Sequence, residues 1–369
     1  MKKILFVASV TIHITTFHIP YLKMFKEAGY EVHVACNGEK EIPYCDKLYN
    51  LNFSRSPFAK SNISVYKELK KIIEEEKYDI IECNTPTASV LTRLATKNID
   101  NENLRVIYIA HGFHFFKGAP FINWAIYYPT EKYLSKYTDD LITINEEDYN
   151  FAKEKLRAKN IYRIHGIGVN QKRYNEIFTE KDRTDIRKSL KLDNEDFAIL
   201  FVGELNKNKN QIMIIDAVKD LIKENKKIKL FFAGEGELRN FYEKKIKEYG
   251  LEENIILLGY RNDIPKLLKS VDLYVSASQR EGLGLNLIEA KMANIPVIAT
   301  NNRGHREIVK DNEDGFLVEI GDIKNLQNKI NLLYSDKDLR KKFIENSQKN
   351  VQKFYLSNVE KELKKIYFK

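Results

Sequence analysis

Two carboxylates eight positions apart bracket the stretch of this chain best suited to chemistry: Glu281-Gly282-Leu283-Gly284-Leu285-Asn286-Leu287-Ile288-Glu289-Ala290. The apolar run at residues 271–275 reads as a buried strand, and residues 285–292 carry apolar side chains at helical spacing. The stretch is therefore strand, loop, helix, with Glu281 at the loop and Glu289 two turns into the helix. A helix start presents backbone N–H groups without intrahelical partners, and these favour anionic ligands. A carboxylate beside them can accept hydrogen bonds from hydroxyls. Gly282-Leu283-Gly284 is not a dinucleotide fingerprint, because Leu287 stands where the third glycine belongs and a carboxylate precedes the loop.

Other polar groups fall at the ends of strand-like runs. Gly203-Glu204-Leu205-Asn206-Lys207-Asn208-Lys209-Asn210 follows the run at 197–202. Lysines in a loop entering a helix can cradle phosphate, although a solvated Lys/Asn turn has the same composition. The Gly-x4-Gly-Lys-Ser/Thr spacing of a P-loop is absent. Gly234-Glu235-Gly236 fits a tight turn. Gly259-Tyr260-Arg261-Asn262-Asp263 offers an aromatic face for a nucleobase, with Asp263 suited to cap the next helix. His111-Gly112 closes the run at 105–110, and His13 and His18 follow the first strand.

These residues must be positioned by a scaffold, and the patterning indicates one. The 369 residues suit two domains, and a hydrophobic content of 43% supplies their cores. No run approaches the roughly 20 apolar residues of a membrane-spanning helix. The N-terminal apolar run superficially resembles a signal peptide, but it is short and Thr11, His13 and His18 follow soon after, so it reads as a first buried strand. Cys36, Cys45 and Cys83 have neither metal-ligand nor disulfide-framework spacing and fit a reducing, cytoplasmic compartment. The net charge of +9 is spread over amphipathic helices, and no finger, aromatic RNA-binding motif or helix-turn-helix signal accompanies it, so nucleic acid is not an expected partner.

Strand-like runs at 4–10, 31–35, 78–84, 105–110 and 141–144 alternate with helical segments at 21–29, 65–76 and from 146, with Asn145 as a helix cap. A glycine-punctuated break at 165–170 is followed by a helix at 182–190. A second series of runs then occupies 197–202, 229–233, 254–258, 271–275, 295–299 and 315–318, and a mostly helical tail spans 336–366. Strand and helix alternation of this kind predicts an α/β protein of two doubly wound domains with parallel sheets, joined near 165–180. Ligands bind such sheets beyond the carboxyl ends of the strands, which places the expected site in a cleft between the two.

The glutamate-bracketed stretch is similar to the signature of the retaining nucleotide-sugar glycosyltransferases of family 4, which have the GT-B fold. Its neighbours match in order: Val202-Gly203-Glu204-Leu205 with Lys209, Ala233-Gly234-Glu235-Gly236, Leu258-Gly259-Tyr260, Pro296-Val297-Ile298-Ala299-Thr300, Gly304-His305-Arg306-Glu307-Ile308-Val309 and Gly315-Phe316-Leu317-Val318. His111-Gly112, the run at 137–145 and Gly168-Val169-Asn170 extend the resemblance into the first half. Ala110-His111-Gly112-Phe113-His114-Phe115-Phe116-Lys117-Gly118 resembles the bacterial capsular and exopolysaccharide branch in particular.

The resemblance implies an acceptor-binding Rossmann-like domain over residues 1–170, with 352–369 crossing back to it, and a nucleotide-sugar-binding domain over 171–351. It implies that Glu289 holds the donor ribose and Glu281 the transferring sugar. Backbone N–H groups of Gly282, Leu283, Gly284, Leu285 and Asn286 would hold sugar and phosphate. Lys209 would neutralise the leaving diphosphate near Gly203, and His111 would face the sugar from the first domain. The base would lie near Tyr260 and Arg261. Many members carry arginine where this chain has Glu204, and Lys207 is the expected substitute.

No covalent nucleophile, metal or cofactor is implied, the nucleotide sugar being a substrate. His18 is the candidate acceptor residue. The aromatic stretch at 113–128 reads either as a helix packed on the sheet or as an apolar lip, built on Phe115 and Phe116, for a lipid-linked acceptor at the inner membrane face. The expected activity is retaining transfer of a hexose or N-acetylhexosamine from a UDP-sugar to a lipid-linked or polysaccharide acceptor in capsule, exopolysaccharide or O-antigen synthesis. A GT-B epimerase or phosphorylase and a non-catalytic nucleotide-binding assembly protein are the alternatives.

Overall fold

The computed structural model describes residues 1–54, 56, 59–175 and 178–369. The chain divides into two compact units, one of Met1–Ile167 together with Glu360–Lys369, the other of Gly168–Val359.

In the first unit, β1 (Lys3–Val7), β2 (Glu31–Cys36), β3 (Lys47–Asn50), β4 (Ile80–Cys83), β5 (Arg105–Ala110), β6 (Asp140–Thr143) and β7 (Asn160–Arg163) form one sheet in the order β3-β2-β1-β4-β5-β6-β7. Every pairing is parallel. Parallel strands need crossovers, which helices supply, and strands covered on both faces become nearly continuous apolar runs. Ile4, Leu5, Phe6 and Val7 of β1 are accordingly buried. The terminal segment is tied into this unit. Arg105 donates to the Tyr367 and Ile366 carbonyls at 2.8 and 2.5 Å, and the Tyr367 ring packs 5.0 Å from Phe25.

In the second unit, β8 (Phe197–Val202), β9 (Ile228–Ala233), β10 (Ile255–Gly259), β11 (Leu273–Ser276), β12 (Val297–Thr300) and β13 (Phe316–Val318) pair in the order β10-β9-β8-β11-β12-β13, again all parallel. In both sheets the chain starts near the middle, builds outward to one edge, and returns to build toward the other. The switch points are therefore β1/β4 and β8/β11, where parallel sheets open a crevice beyond their carboxyl ends.

Several local expectations meet the structure directly. Asn145 caps the helix Glu146–Lys155, its side chain accepting from the Asp148 N–H at 2.8 Å. The helical tail is not continuous, being split into Lys337–Asn350, a short 3-10 turn at Val351–Phe354, and Leu356–Tyr367. Asp263 occupies the N-cap position of Ile264–Ser270 without capping it. Its carboxylate instead accepts from Arg261 at 2.8 and 2.6 Å, because a bidentate guanidinium outcompetes a single backbone N–H.

Candidate active site

At the β8/β11 switch point of the second unit lies a cavity of about 210 Å³, lined among others by Val202, Lys209, Ser276, Glu281, Leu285 and His305. Its walls are the two loops singled out by their residue types, and side chains lace them together. Asn208 donates to the Arg280 carbonyl at 3.0 Å and accepts, through its own carbonyl, from the Gln279 N–H at 2.8 Å. Asn286 donates to the Val202 carbonyl at 2.7 Å, fastening the start of helix Leu285–Met292 to the end of β8. Gly284, Leu285, Asn286 and Leu287 all line the cavity, so the positive end of that helix faces it. No side chain caps that helix start at Gly284.

The Lys209 ammonium and the Glu281 carboxylate meet inside the cavity at 2.6 Å, both side chains retaining some solvent access. Close approach of backbone makes this possible at two glycines. A Cβ on Gly304 would meet the Glu281 Cβ at 2.8 Å, and a Cβ on Gly234 would meet the Gly203 carbonyl oxygen at 2.0 Å. His305, which the residue pattern did not single out as a site residue, forms the cavity floor. Its Nδ1 lies 2.8 Å from the Thr300 carbonyl and its Nε2 3.3 Å from Ser276 Oγ. Burial lowers its pKa to about 4 against the raising effect of Glu281, so the ring is neutral at pH 7. Gly304-His305, within the matched segment beyond β12, was the signal from which it could have been found.

Leu283 lines the cavity as well, whereas Gly203, Gly282, Glu204, Lys207, Tyr260, Arg261 and Glu289 lie outside this lining. Glu289 is half-buried, and burial raises its pKa despite the opposing influence of Tyr174 and Arg173. The buried Tyr174 hydroxyl, which faces this carboxylate, has no hydrogen-bond partner among the described residues. Hydroxyl and carboxylate together keep capacity for a ligand hydroxyl. Tyr260 is 82% exposed, Arg261 is held by Asp263, and the exposed Glu204 accepts from Asn206 at 3.0 Å. Lys207 is exposed, and of the two loop lysines only Lys209 lines the cavity.

The first unit gathers its own polar cluster at the β1/β4 switch point. His18 sits at the junction of helices Thr11–Phe17 and Ile19–Glu27, fully buried, with Nε2 3.3 Å from His13 Nε2 and Nδ1 3.3 Å from Glu82. The His111 Nε2 lies 3.0 Å from Asn84 Oδ1, and Asn84 donates to Glu82 at 3.0 Å. The Tyr367 hydroxyl donates to the same carboxylate. Burial, with the nearby His18, lowers the His111 pKa to about 3; burial also lowers that of His13. His111 and His18 are thus brought together, their rings 6.1 Å apart.

The aromatic stretch divides. Phe113 and Phe115 stack at 4.9 Å and are buried in the core, so Phe115 cannot form an apolar lip. The exposed apolar residues are instead Phe121 and Ile122, at the start of helix Phe121–Leu134. Among the described residues no helix is long and apolar enough to cross a membrane.

Two parallel α/β sheets, with loops laced around a lysine–glutamate pair in one of them, fit the GT-B form of the sugar-transfer class, and the comparisons assign that class. Residues 182–350 match the family model of the group 1 glycosyl transferases, and residues 3–145 that of the glycosyl transferase 4-like domain. The chain belongs to this family and is a glycosyltransferase. It is 44% identical to EpsD of Bacillus subtilis (strain 168), a proposed glycosyltransferase, over 92% of this chain and 90% of that one. It is 32% identical to the UDP-Gal:alpha-D-GlcNAc-diphosphoundecaprenol alpha-1,3-galactosyltransferase of Escherichia coli, over 78% of this chain and 73% of that one. The fold is that of Anabaena Alr3699/HepE, solved in complex with UDP and glucose, with a TM-score of 0.81 over 99% of both chains at 20% identity.

Proposed function

We propose that this glycosyltransferase moves a hexose or N-acetylhexosamine from a UDP-sugar to a lipid-linked saccharide, with retention of anomeric configuration and without a metal at the diphosphate, in the synthesis of a bacterial surface polysaccharide. The observation that carries the reading is the Lys209–Glu281 pair, 2.6 Å apart in a cavity that also receives a helix start. Departure of a nucleoside diphosphate builds negative charge on the leaving oxygen. A lysine and a helix N-terminus already aimed at that point stabilise it without reorganisation, which takes the part a divalent cation has elsewhere. Glu281 accepts from hydroxyls of the transferring sugar, and Glu289 with Tyr174 takes the ribose. Tyr260 offers a face to the base. No residue is assigned as a covalent nucleophile.

Of the first unit's residues, His111 keeps the role of contact to the transferring sugar and His18 that of acceptor residue. The name of the E. coli relative, which specifies a UDP-sugar and a diphosphoundecaprenol acceptor, supports the donor and acceptor classes. The complex of HepE with UDP and glucose supports the nucleotide. Phe121 and Ile122, with a net charge of +9, suit contact with the anionic inner face of the cytoplasmic membrane.

A panel of nucleotide sugars tests the donor. UDP-sugars should raise the unfolding temperature, since a ligand at a hundred times its Kd adds about 2.7 kcal/mol, and GDP-, ADP- and CMP-sugars should not. Transfer to a lipid-diphosphate saccharide in anionic vesicles should give a product with the donor's anomeric configuration. Phe121→Ser/Ile122→Ser should reduce co-flotation with those vesicles. Inverted product, turnover that needs no acceptor, or flotation indifferent to the double substitution would each remove the corresponding part of the proposal.

A further inference from the structure

We infer that His13, His18 and His111 form a binding site for a first-row divalent metal ion, with Zn2+ as the best fit. The inference goes beyond the glycosyl transfer proposed above and concerns the first unit alone. One ligating atom from each ring lies within 4.8 Å of the others. A tetrahedral zinc–nitrogen bond of 2.0–2.1 Å gives an edge of about 3.3 Å between ligand atoms. The His13 and His18 Nε2 atoms are already 3.3 Å apart. Two such nitrogens cannot both present lone pairs to each other at that distance, so one must hold a proton or both must face a cation.

The surroundings favour the cation. The Glu82 carboxylate lies 3.3 Å from His18 Nδ1 but outside hydrogen-bonding geometry, so that buried nitrogen has no hydrogen-bond partner among the described residues, while Nε2 faces His13. Glu82 is itself held by Asn84 Nδ2 at 3.0 Å and by the Tyr367 hydroxyl. With its Nδ2 so committed, Asn84 turns Oδ1 toward His111 Nε2 at 3.0 Å and makes that nitrogen the donor. The lone pair of His111 is then on Nδ1. Glu82, acting through Asn84, thus sets the tautomer of His111. Rotation of the half-buried His13 ring, with His111 held on Asn84, would close the rest of the gap. Three imidazoles leave the fourth position to water or a substrate oxygen, the arrangement of zinc sites that exchange a ligand. Neutral nitrogen donors suit zinc, and they exclude magnesium and calcium, which require oxygen.

Titration calorimetry of the chelator-stripped full chain with Zn2+ tests the site, with Co2+ as the optical probe. The wild type should take up about one equivalent of Zn2+ per chain and give the visible absorption band of tetrahedral nitrogen-ligated Co2+. His13→Ala should weaken Zn2+ binding at least about tenfold and abolish the band, the low end of what losing one of three ligands costs. His13→Cys, which restores a zinc ligand, should recover binding, and His13→Asn should not. Circular dichroism separates loss of metal from loss of fold, since His13 is only half-buried. Wild-type uptake well below one equivalent, or equal uptake by folded His13→Ala, overturns the inference. UDP-sugar stabilisation is unaffected by either outcome, so the donor reading stands or falls separately.

Discussion

Replacing Lys209 with alanine is expected to lower kcat by about 10²–10³, the cost of removing one preorganised stabiliser of developing negative charge. The ammonium lies against Glu281 at 2.6 Å and lines the cavity, and the Lys209 N–H is itself held by Asn206 Oδ1 at 3.0 Å. The charge is therefore in place before the diphosphate begins to leave. The alanine variant also leaves Glu281 without its counter-ion, next to an incoming dianion. Donor binding should weaken as well, but by a smaller factor, because the largest interaction is made when the leaving oxygen carries most charge. Lys207 supplies the contrast. It is exposed and outside the cavity lining, so Lys207→Ala removes a screened charge worth up to about 1 kcal/mol and should change the donor KM by less than about fivefold. Steady-state kinetics on both variants decide the matter. Equal losses would mean that Lys207 substitutes for the arginine missing at Glu204, and an active Lys209→Ala would remove the lysine from the mechanism.

The lysine and both glutamates were legible in the residues because a buried strand, a polar loop and an amphipathic helix leave a strong pattern, and because function in parallel sheets falls at strand ends. The central strands were legible for the same reason: the runs at 105–110 and 197–202 correspond to β5 and β8 residue for residue. The edge strands of the first sheet were not, although those of the second, β10 and β13, were. In β3, Lys47-Leu48-Tyr49-Asn50, and β7, Asn160-Ile161-Tyr162-Arg163, no residue is fully buried, so neither carries the apolar run that identifies a covered strand. The helix Thr11–Phe17 was also hidden. It has no capping side chain, and six of its seven residues are β-branched or aromatic (Thr11, Ile12, Ile14, Thr15, Thr16 and Phe17), weak helix formers, so only tertiary packing selects it. That helix brings His13 to His18, and the histidine cluster was invisible for that reason. His13 and His18 read as a loop pair, and only the parallel pairing of β1 with β4 and of β4 with β5 sets Glu82, Asn84 and His111 beside them. Phe115 was misplaced by the opposite error, since an aromatic-rich segment was read partly as surface when stacking on Phe113 carries it into the core.

The two glutamates are expected to separate in kinetics. Glu281 lines the cavity with Lys209, whereas Glu289 lies outside that lining, facing the Tyr174 hydroxyl. Glu281→Gln should lower kcat by about 10–100-fold with little change in donor KM, since a hydrogen bond to a charged group is worth about 1.5–3 kcal/mol and here strengthens as the sugar becomes cationic. Glu289→Gln should raise donor KM by a comparable factor and leave kcat nearly unchanged, because ribose contacts are the same in ground and transition states. A pH profile sharpens the distinction. Burial raises the Glu289 pKa, so this carboxylate protonates before an ordinary one as pH falls. Its capacity to accept from two ribose hydroxyls is present above the raised pKa and lost below it. Donor KM should therefore climb on the mildly acid side in the wild type and stay flat in Glu289→Gln, whose amide does not titrate. A kcat defect in Glu289→Gln with the acid limb of KM intact would reverse the two roles, placing Glu289 at the transferring sugar and Glu281 at the nucleotide.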